Sequence, residues 1–466
     1  MTMDCNRGFR IVYQYLLLAS FLAYAAASDA PADEGTPPVQ EKPAAQSQVI
    51  INNAGEVKSA PTVTMLTLSQ CIDIALRKNP TILAALYSVD VNKSRVGEAR
   101  SAYYPQVSAQ GSYDRLKLGG TNVSPTQGTT TYNEYIGIIN LNQTILDFGK
   151  TSSSVDISKF NLESASSNLN ATEDTLVLSV KQAYYGVLQA QRNLDVAADV
   201  IKQYQLHLDQ AQGFYEVGTN AKIDVIKAEV DLSNAKLSLI NADNTLKIAR
   251  TTLNNAIGLP YAPEYAIEDN LSFQKYAITL EEALARAFEN RSDLKAAVAL
   301  RRAAEENVSL QRTGYYPVLS GRANYAKTEV DISPYTTSTS WDVGVVLTIP
   351  LFSGFLTEHQ VGEAKANFYL TKANEESVRL QIVLDIRQAY LNLQAAEASI
   401  STAELASKQA KENLDLANGR YAAGVGSPIE VSDAFATYVS AQAAYNGALY
   451  NYKIAEASIE KAMGAR

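Results

Sequence analysis

Along two long stretches of the chain, apolar side chains return every seven residues. The first series is Val180, Val187, Leu194, Ile201, Leu208 and Tyr215. The second is Ile386, Leu393, Ile400, Ser407, Leu414 and Tyr421, with one polar member. Alanines fill a neighbouring position: Ala183, Ala190, Ala197 and Ala211, then Ala389, Ala396, Ala403, Ala410 and Ala417. A sustained period of seven predicts helices in a left-handed supercoil, and alanine lets them approach closely. The spans are 150–216 and 356–421, each reaching about 100 Å at 1.5 Å per residue. Shorter helical stretches are predicted over 69–104, 222–257, 281–316 and 428–463. Two of these stacked end to end would match one long helix. Each half of the chain can thus present two antiparallel rods, one continuous and one in two pieces.

Between the helical stretches the period falls to two. Val107, Ala109, Gly111 and Tyr113 alternate with Gln106, Ser108 and Gln110, and Tyr135, Gly137, Ile139 and Leu141 with Glu134, Asn140 and Asn142. Leu319, Gly321, Ala323 and Tyr325 alternate with Ser320, Arg322 and Asn324, and Trp341, Val343, Val345, Leu347 and Ile349 with Asp342, Gly344 and Thr348. Strands are predicted at about 105–115, 134–146, 317–327 and 341–350, joined in pairs by Gly/Ser/Thr/Pro loops. One apolar and one polar face, ended by aromatics, is the pattern of membrane-barrel strands. Tyr103, Tyr104, Tyr135, Tyr315, Tyr316 and Trp341 sit where a membrane girdle would. Four strands cannot close a barrel, and open edges are not tolerated in lipid. Copies must therefore associate: two would supply eight strands, three would supply twelve.

The two halves are copies. Thr67–Pro80 is matched by Thr279–Ser292, and Tyr103-Tyr104-Pro105 by Tyr315-Tyr316-Pro317, at an offset of 212. Lys181-Gln182-Ala183-Tyr184 matches Arg387-Gln388-Ala389-Tyr390, and Tyr215 and Gly218 match Tyr421 and Gly424, at an offset of 206. The six-residue difference falls inside the hairpin, where a loop can shorten without cost to the helices. The repeats are expected over 65–258 and 278–464, joined by a connector at 259–277. The fold class expected is mainly α with a small β part.

Composition narrows the setting. Among 466 residues the net charge is −9, and no basic stripe suggests a nucleic-acid partner. Arg7 and Arg10, the apolar run 11–26 and Ala25-Ala26-Ala27 predict a removable export signal over 1–27. A Pro- and Ala-rich stretch, 28–64, is expected to be a disordered lead-in. Cys71 alone remains after cleavage, so no internal disulfide is possible.

Gln143–Gly149 and Ile349–Gly354 follow the hairpins. Phe214-Tyr215-Glu216-Val217-Gly218 and Arg420-Tyr421-Ala422-Ala423-Gly424 end the long helices. With the duplicated Tyr-Tyr-Pro, these segments resemble the TolC-type outer membrane efflux protein family over about 65–464. The resemblance implies a homotrimer with a 12-stranded β-barrel in outer-membrane lipid and an α-helical barrel crossing the periplasm. It implies docking of a periplasmic adaptor (membrane fusion) protein and an inner-membrane pump of RND or ABC type. The function implied is an exit duct for efflux or type I secretion. It also implies that the turns at Gly218 and Gly424 form the periplasmic tip, where adaptors grip. There Glu430 and Asp433 match an acidic constriction, Tyr421 a gate residue and Asp224 an acid of the gate network. The basic residue that often completes this network is replaced by Gly426.

Nothing in the sequence points to catalysis or a cofactor. The only two histidines, His207 and His359, fall on helical stretches far apart and are expected to be exposed. Met65 and Met463 are the only methionines after the export signal, too few for a methionine-lined copper or silver path. The rival is an exported trimeric coiled-coil adhesin or scaffold, which accounts for the heptads but not for two matched amphipathic hairpins.

Overall fold

The computed structural model describes residues 65–117, 131–218, 221–259, 265–331 and 335–465. The export signal and the lead-in lie outside them. The chain divides into two units.

One unit carries a four-stranded sheet. Its strands are β2 (Gln106–Lys117), β3 (Thr131–Leu146), β5 (Val318–Asp331) and β6 (Thr336–Thr348), in the spatial order β2-β3-β5-β6. Both sequence hairpins thus join in one sheet, and β2 and β6 are left as its edges. The antiparallel register of β2 and β3 sets Val107 opposite Leu141, Ala109 opposite Ile139, Gly111 opposite Gly137 and Tyr113 opposite Tyr135. It also sets Gln106 opposite Asn142 and Ser108 opposite Asn140. Because strand side chains alternate, this register sorts the apolar and polar sets onto opposite faces. Ile136 and Ile138 are the exceptions, standing on the polar side. All four strands reach nearer the loops than the alternation suggested. β6 begins at Thr336 and stops at Thr348, since Pro350 cannot donate to a ladder.

The other unit is helical. Its elements are β1 (Met65–Leu66), α1 (Leu68–Lys78), α2 (Pro80–Ser101), α3 (Lys150–Glu216), α4 (Lys222–Ala256), β4 (Ala266–Ile267), α5 (Leu280–Asn290), α6 (Ser292–Arg312), α7 (Leu356–Ala422) and α8 (Pro428–Ala462). A single turn of 3-10 helix, Thr313–Tyr315, follows α6. α3 and α7 have 67 residues each, and α4 and α8 have 35 each.

The single helices expected over 69–104 and 281–316 are each broken in two. Pro80 lacks the N–H that would continue α1, and Asn79 caps α2 by accepting from Thr81 N at 2.9 Å. Without proline, the second break is held by Arg291. It donates to Asp293 Oδ2 at 2.6 Å and to Asp385 Oδ2 at 2.9 Å. Each break receives the end of a second helix. Asn79 Nδ2 donates to Ala256 O at 3.0 Å, and a Cβ on Gly258 would lie 3.1 Å from Asn79 Cα. Gly464 packs in the same way on Asn290 and Arg291. The composite rods are therefore α4 with α2 and α8 with α6, while α1 and α5 turn aside onto the core. That core gathers Tyr184, Leu253, Ile257, Leu271, Ile386, Tyr452 and Met463. Within it Tyr184 donates to Glu268 O at 2.7 Å, and β1 pairs with β4 in parallel. Buried Cys71 also lies there, its thiol pushed up to about 11 by burial, so it is inert.

Side by side, the helices run α2-α3-α6-α7 in one half of the unit and α4-α3-α8-α7 in the other. All six members of the α7 heptad series are buried. In α3 only Val180, Val187 and Leu208 are, and Tyr215 is exposed. The flanking helices carry unpartnered apolar stripes: Leu83, Leu86 and Tyr87 on α2; Ile223, Ile226, Val230, Leu237 and Ile240 on α4; Leu384, Leu391 and Leu405 on α7.

A candidate gate at the hairpin tips

Each long helix ends in a left-handed glycine. Gly218 has φ of 75° and Gly424 of 72°. After α7 the turn is a complete Schellman motif: Gly424 N donates to Tyr421 O and Val425 N to Arg420 O, both at 3.0 Å. Gly218 N donates to Tyr215 O at 3.0 Å in the equivalent turn. Val217, Ile223, Val425 and Ile429 are exposed beside the turns.

Gly426 has a different reason to be glycine. Its N–H donates to Arg420 O at 3.0 Å. A Cβ there would stand 2.7 Å from Tyr421 N and 2.9 Å from Arg420 C, both backbone atoms. No basic side chain fits this position. A cation does stand close by: Arg420 Nε lies 3.4 Å from Glu430 Oε2. Ser427 caps α8 by accepting from Ile429 N. Glu430 and Asp433 are exposed in the first turns of α8, and Asp433 has no ion-pair partner among the described residues.

Behind the turns the two helical hairpins meet through aromatic rings. Tyr421 is buried, with its ring 4.8 Å from His207 and 5.6 Å from Phe214. Tyr204 stacks at 4.9 Å on Phe435. Ser432 of α8 donates to Asp231 of α4 at 3.0 Å, joining the first copy to the second. The Tyr204 hydroxyl is held above its ordinary pKa by burial first and by Asp231 second. His207, expected to be exposed, is instead only 4 % exposed, because α8 and α7 cover the α3 face it lies on; His359 is exposed. Burial depresses the His207 pKa below its ordinary value. Asp224 is half-buried at the start of α4 and acts on His207 through its field, together with Asp231 and Lys227.

The heptad brought Tyr421 to attention but not Tyr204, His207 or Phe214. Their signal was present: Tyr204, His207, Ala211 and Phe214 are spaced three, four and three apart, a second helical seam beside the first. Arg420 and the Asp231–Ser432 bond join elements far apart in sequence and left no local signal.

On the sheet, Trp341 is 74 % exposed and Tyr104 is also exposed, while Tyr135 is half-buried and stacked on Tyr113 at 5.1 Å. Val107, Val343, Val345 and Leu347 leave the apolar face bare. The polar face carries Arg322 Nε, 3.5 Å from Asp342 Oδ2. In the helical unit Tyr103, Tyr315 and Tyr316 are exposed, and Phe148 packs on Tyr316 at 5.7 Å. Among the described residues, no three His, Cys, Asp or Glu side chains are grouped to hold a metal, and no helix is long and apolar enough to cross a membrane.

The chain thus carries duplicated coiled-coil hairpins in one unit and an amphipathic sheet open at both edges in the other. The family model described as "Outer membrane efflux protein" matches residues 71–259 and 283–465, one segment in each copy, and the chain belongs to that family. It is 24% identical to the outer membrane protein TolC of Vibrio cholerae over 405 residues, 85% of this chain and 90% of that protein. It is 26% identical to TolC of Escherichia coli over 424 residues, 85% of this chain and 82% of that protein. The fold matches the CmeC outer membrane channel of Campylobacter jejuni with a TM-score of 0.74 at 18% identity, over 85% of each chain. The protein is an outer-membrane exit duct for efflux, extending into the periplasm.

Proposed function

We propose that three copies close into one conduit, which passively conducts solutes that an inner-membrane pump and a periplasmic adaptor deliver to the tips. The observation that carries this is the four-stranded sheet with one bare apolar face and two open edges. Unpaired edge groups cost several kcal/mol each in hydrocarbon, so β2 of one copy must meet β6 of the next. The exposed stripes support the same closure. α4 and α7 flank opposite sides of the helical layer, so a head-to-tail ring lays the Ile223–Ile240 stripe of one copy beside exposed Leu405 and Leu416, at the same height on α7 of the next. Three copies give the twelve strands of a closed barrel, with an apolar exterior and the Arg322–Asp342 face lining the lumen.

At the tips, Glu430 and Asp433 form a cation-preferring constriction, and Tyr421 and Asp224 belong to the contact that keeps it closed. The exposed residues around Gly218 and Gly424 are the adaptor's grip. Tyr103, Tyr104, Tyr135, Tyr315, Tyr316 and Trp341 are the membrane girdle. The pump decides whether drugs or a secreted protein pass. Mass measurement of the detergent-purified protein tests the assembly: three copies per particle are expected, and a monomer or dimer would overturn it.

A further inference from the structure

The contact between the two helical hairpins is built around an ionisable ring with no room for charge. His207 is buried, and its Nδ1 has no hydrogen-bond partner. Tyr421 of α7 lies against its face at 4.8 Å. The charges acting on it all come from α4: Asp231 and Asp224 favour the imidazolium, and Lys227 opposes it. On α8, Ser432 bonds Asp231 and Tyr204, and Glu430 and Asp433 are exposed to water. At the offset of 206, the second copy has Asn413 in place of His207, so only one hairpin of each subunit carries the ring.

We propose that His207 makes closure of the duct acid-sensitive: protonation of the imidazole loosens α3 from α7 and shifts the tip toward its open form. The inference rests on the proposal that these tips close the conduit. The sign follows from linkage. Burial outweighs the two acids and lowers the pKa in the packed tip, while an opened tip exposes an imidazole of ordinary pKa, near 6.5. The open form therefore binds the proton more tightly. Closure is fully supported above about pH 6.5 and weakens as the pH falls through the depressed value. Because the outer membrane is porous to protons, an acidic medium reaches this ring directly, and each subunit contributes one.

The test uses the full-length protein in planar bilayers between pH 7.5 and 5, beside His207→Asn, which installs the second copy's own residue. Open probability of the wild type should rise on acidification, by about tenfold in the open-to-closed ratio for each pH unit by which burial lowers one imidazole's pKa. His207→Asn should lose the rise. If His207→Asn fails to assemble, His207→Phe keeps a ring against Tyr421 and takes its place. A wild type indifferent to pH, or a variant as responsive as the wild type, overturns the proposal. If neither protein forms channels, it is the conduction reading that fails. Hydrogen exchange, corrected for its intrinsic pH dependence, then judges His207 alone. Protection over 201–214 and 417–435 should fall at pH 5 in the wild type but not in the variant, and equal behaviour counts against the ring.

Discussion

Gly424 and Gly426 stand two residues apart in one turn and are glycines for unrelated reasons, so alanine at each should have different consequences. Gly424 has φ of 72°, and a Cβ there would meet nothing within 4 Å, so Gly424→Ala meets only the left-handed backbone penalty, about 1 kcal/mol. Gly426 is not left-handed, but its Cβ would lie 2.7 Å from Tyr421 N and 2.9 Å from Arg420 C. Backbone cannot swing aside as a side-chain end can, so the turn must open by several tenths of an ångström. The bonds it strains are Gly426 N and Val425 N to Arg420 O, each 3.0 Å. At about 0.5–1.5 kcal/mol apiece, Gly426→Ala should cost about 1–3 kcal/mol of local order. The strain also lands on Arg420 and Tyr421, the residues that pair Glu430 and pack on His207. Hydrogen exchange over 417–435 and single-channel open probability should both rank Gly426→Ala above Gly424→Ala. Wild-type protection and gating in Gly426→Ala, or the reverse order, would refute the steric argument.

Three other expectations follow from the same geometry. Asp433→Asn should lower cation preference in reversal-potential measurements more than Glu430→Gln, and Arg420→Gln should raise it, since Arg420 offsets only Glu430; equal effects of the two acids would count against that pairing. Ile240→Asp with Leu391→Asp should release subunits from the particle in detergent sizing while leaving helical content intact, because both positions are exposed on the flanks of one copy. Val343→Arg, on the bare apolar face, should cost about 2–4 kcal/mol of membrane insertion and deplete the protein from outer-membrane fractions, whereas Thr348→Arg on the polar face should be tolerated.

Long-period features were plain in the sequence because helix geometry alone enforces them. The 67-residue helices lie at 150–216 and 356–422, and every helix of the second copy starts at the offset of 206 or 212 expected from the duplication. The alternation likewise settled which strand residues share a face, since a slip of one would turn them all over. What escaped reading depends on contacts between distant segments. Arg291 breaks a helix without proline because Asp385, far along the chain, holds its guanidinium. His207 looked like one more polar residue on a helix until a second hairpin covered it. Gly426 reads in the sequence as a missing cation; it is a steric requirement, and a cation that pairs Glu430 stands six residues earlier, at Arg420. The left-handed non-glycine residues Phe148 and Phe355 had no sequence signal either; they sit in equivalent turns into the long helices, but Phe148 corresponds to Gly354 and Phe355 to Gly149.

If open-edged sheets from several copies close around a lumen, the purified full-length protein must conduct on its own. Single-channel recording in a planar bilayer tests this most directly. Uniform, discrete conductance steps, one per inserted particle, are expected, and they should disappear when Val343→Arg keeps the sheet out of lipid. A protein that inserts and keeps its helical content but passes no current, even with the tip loosened by Gly426→Ala, would contradict closure around a lumen and leave a membrane-anchored coiled-coil scaffold in its place.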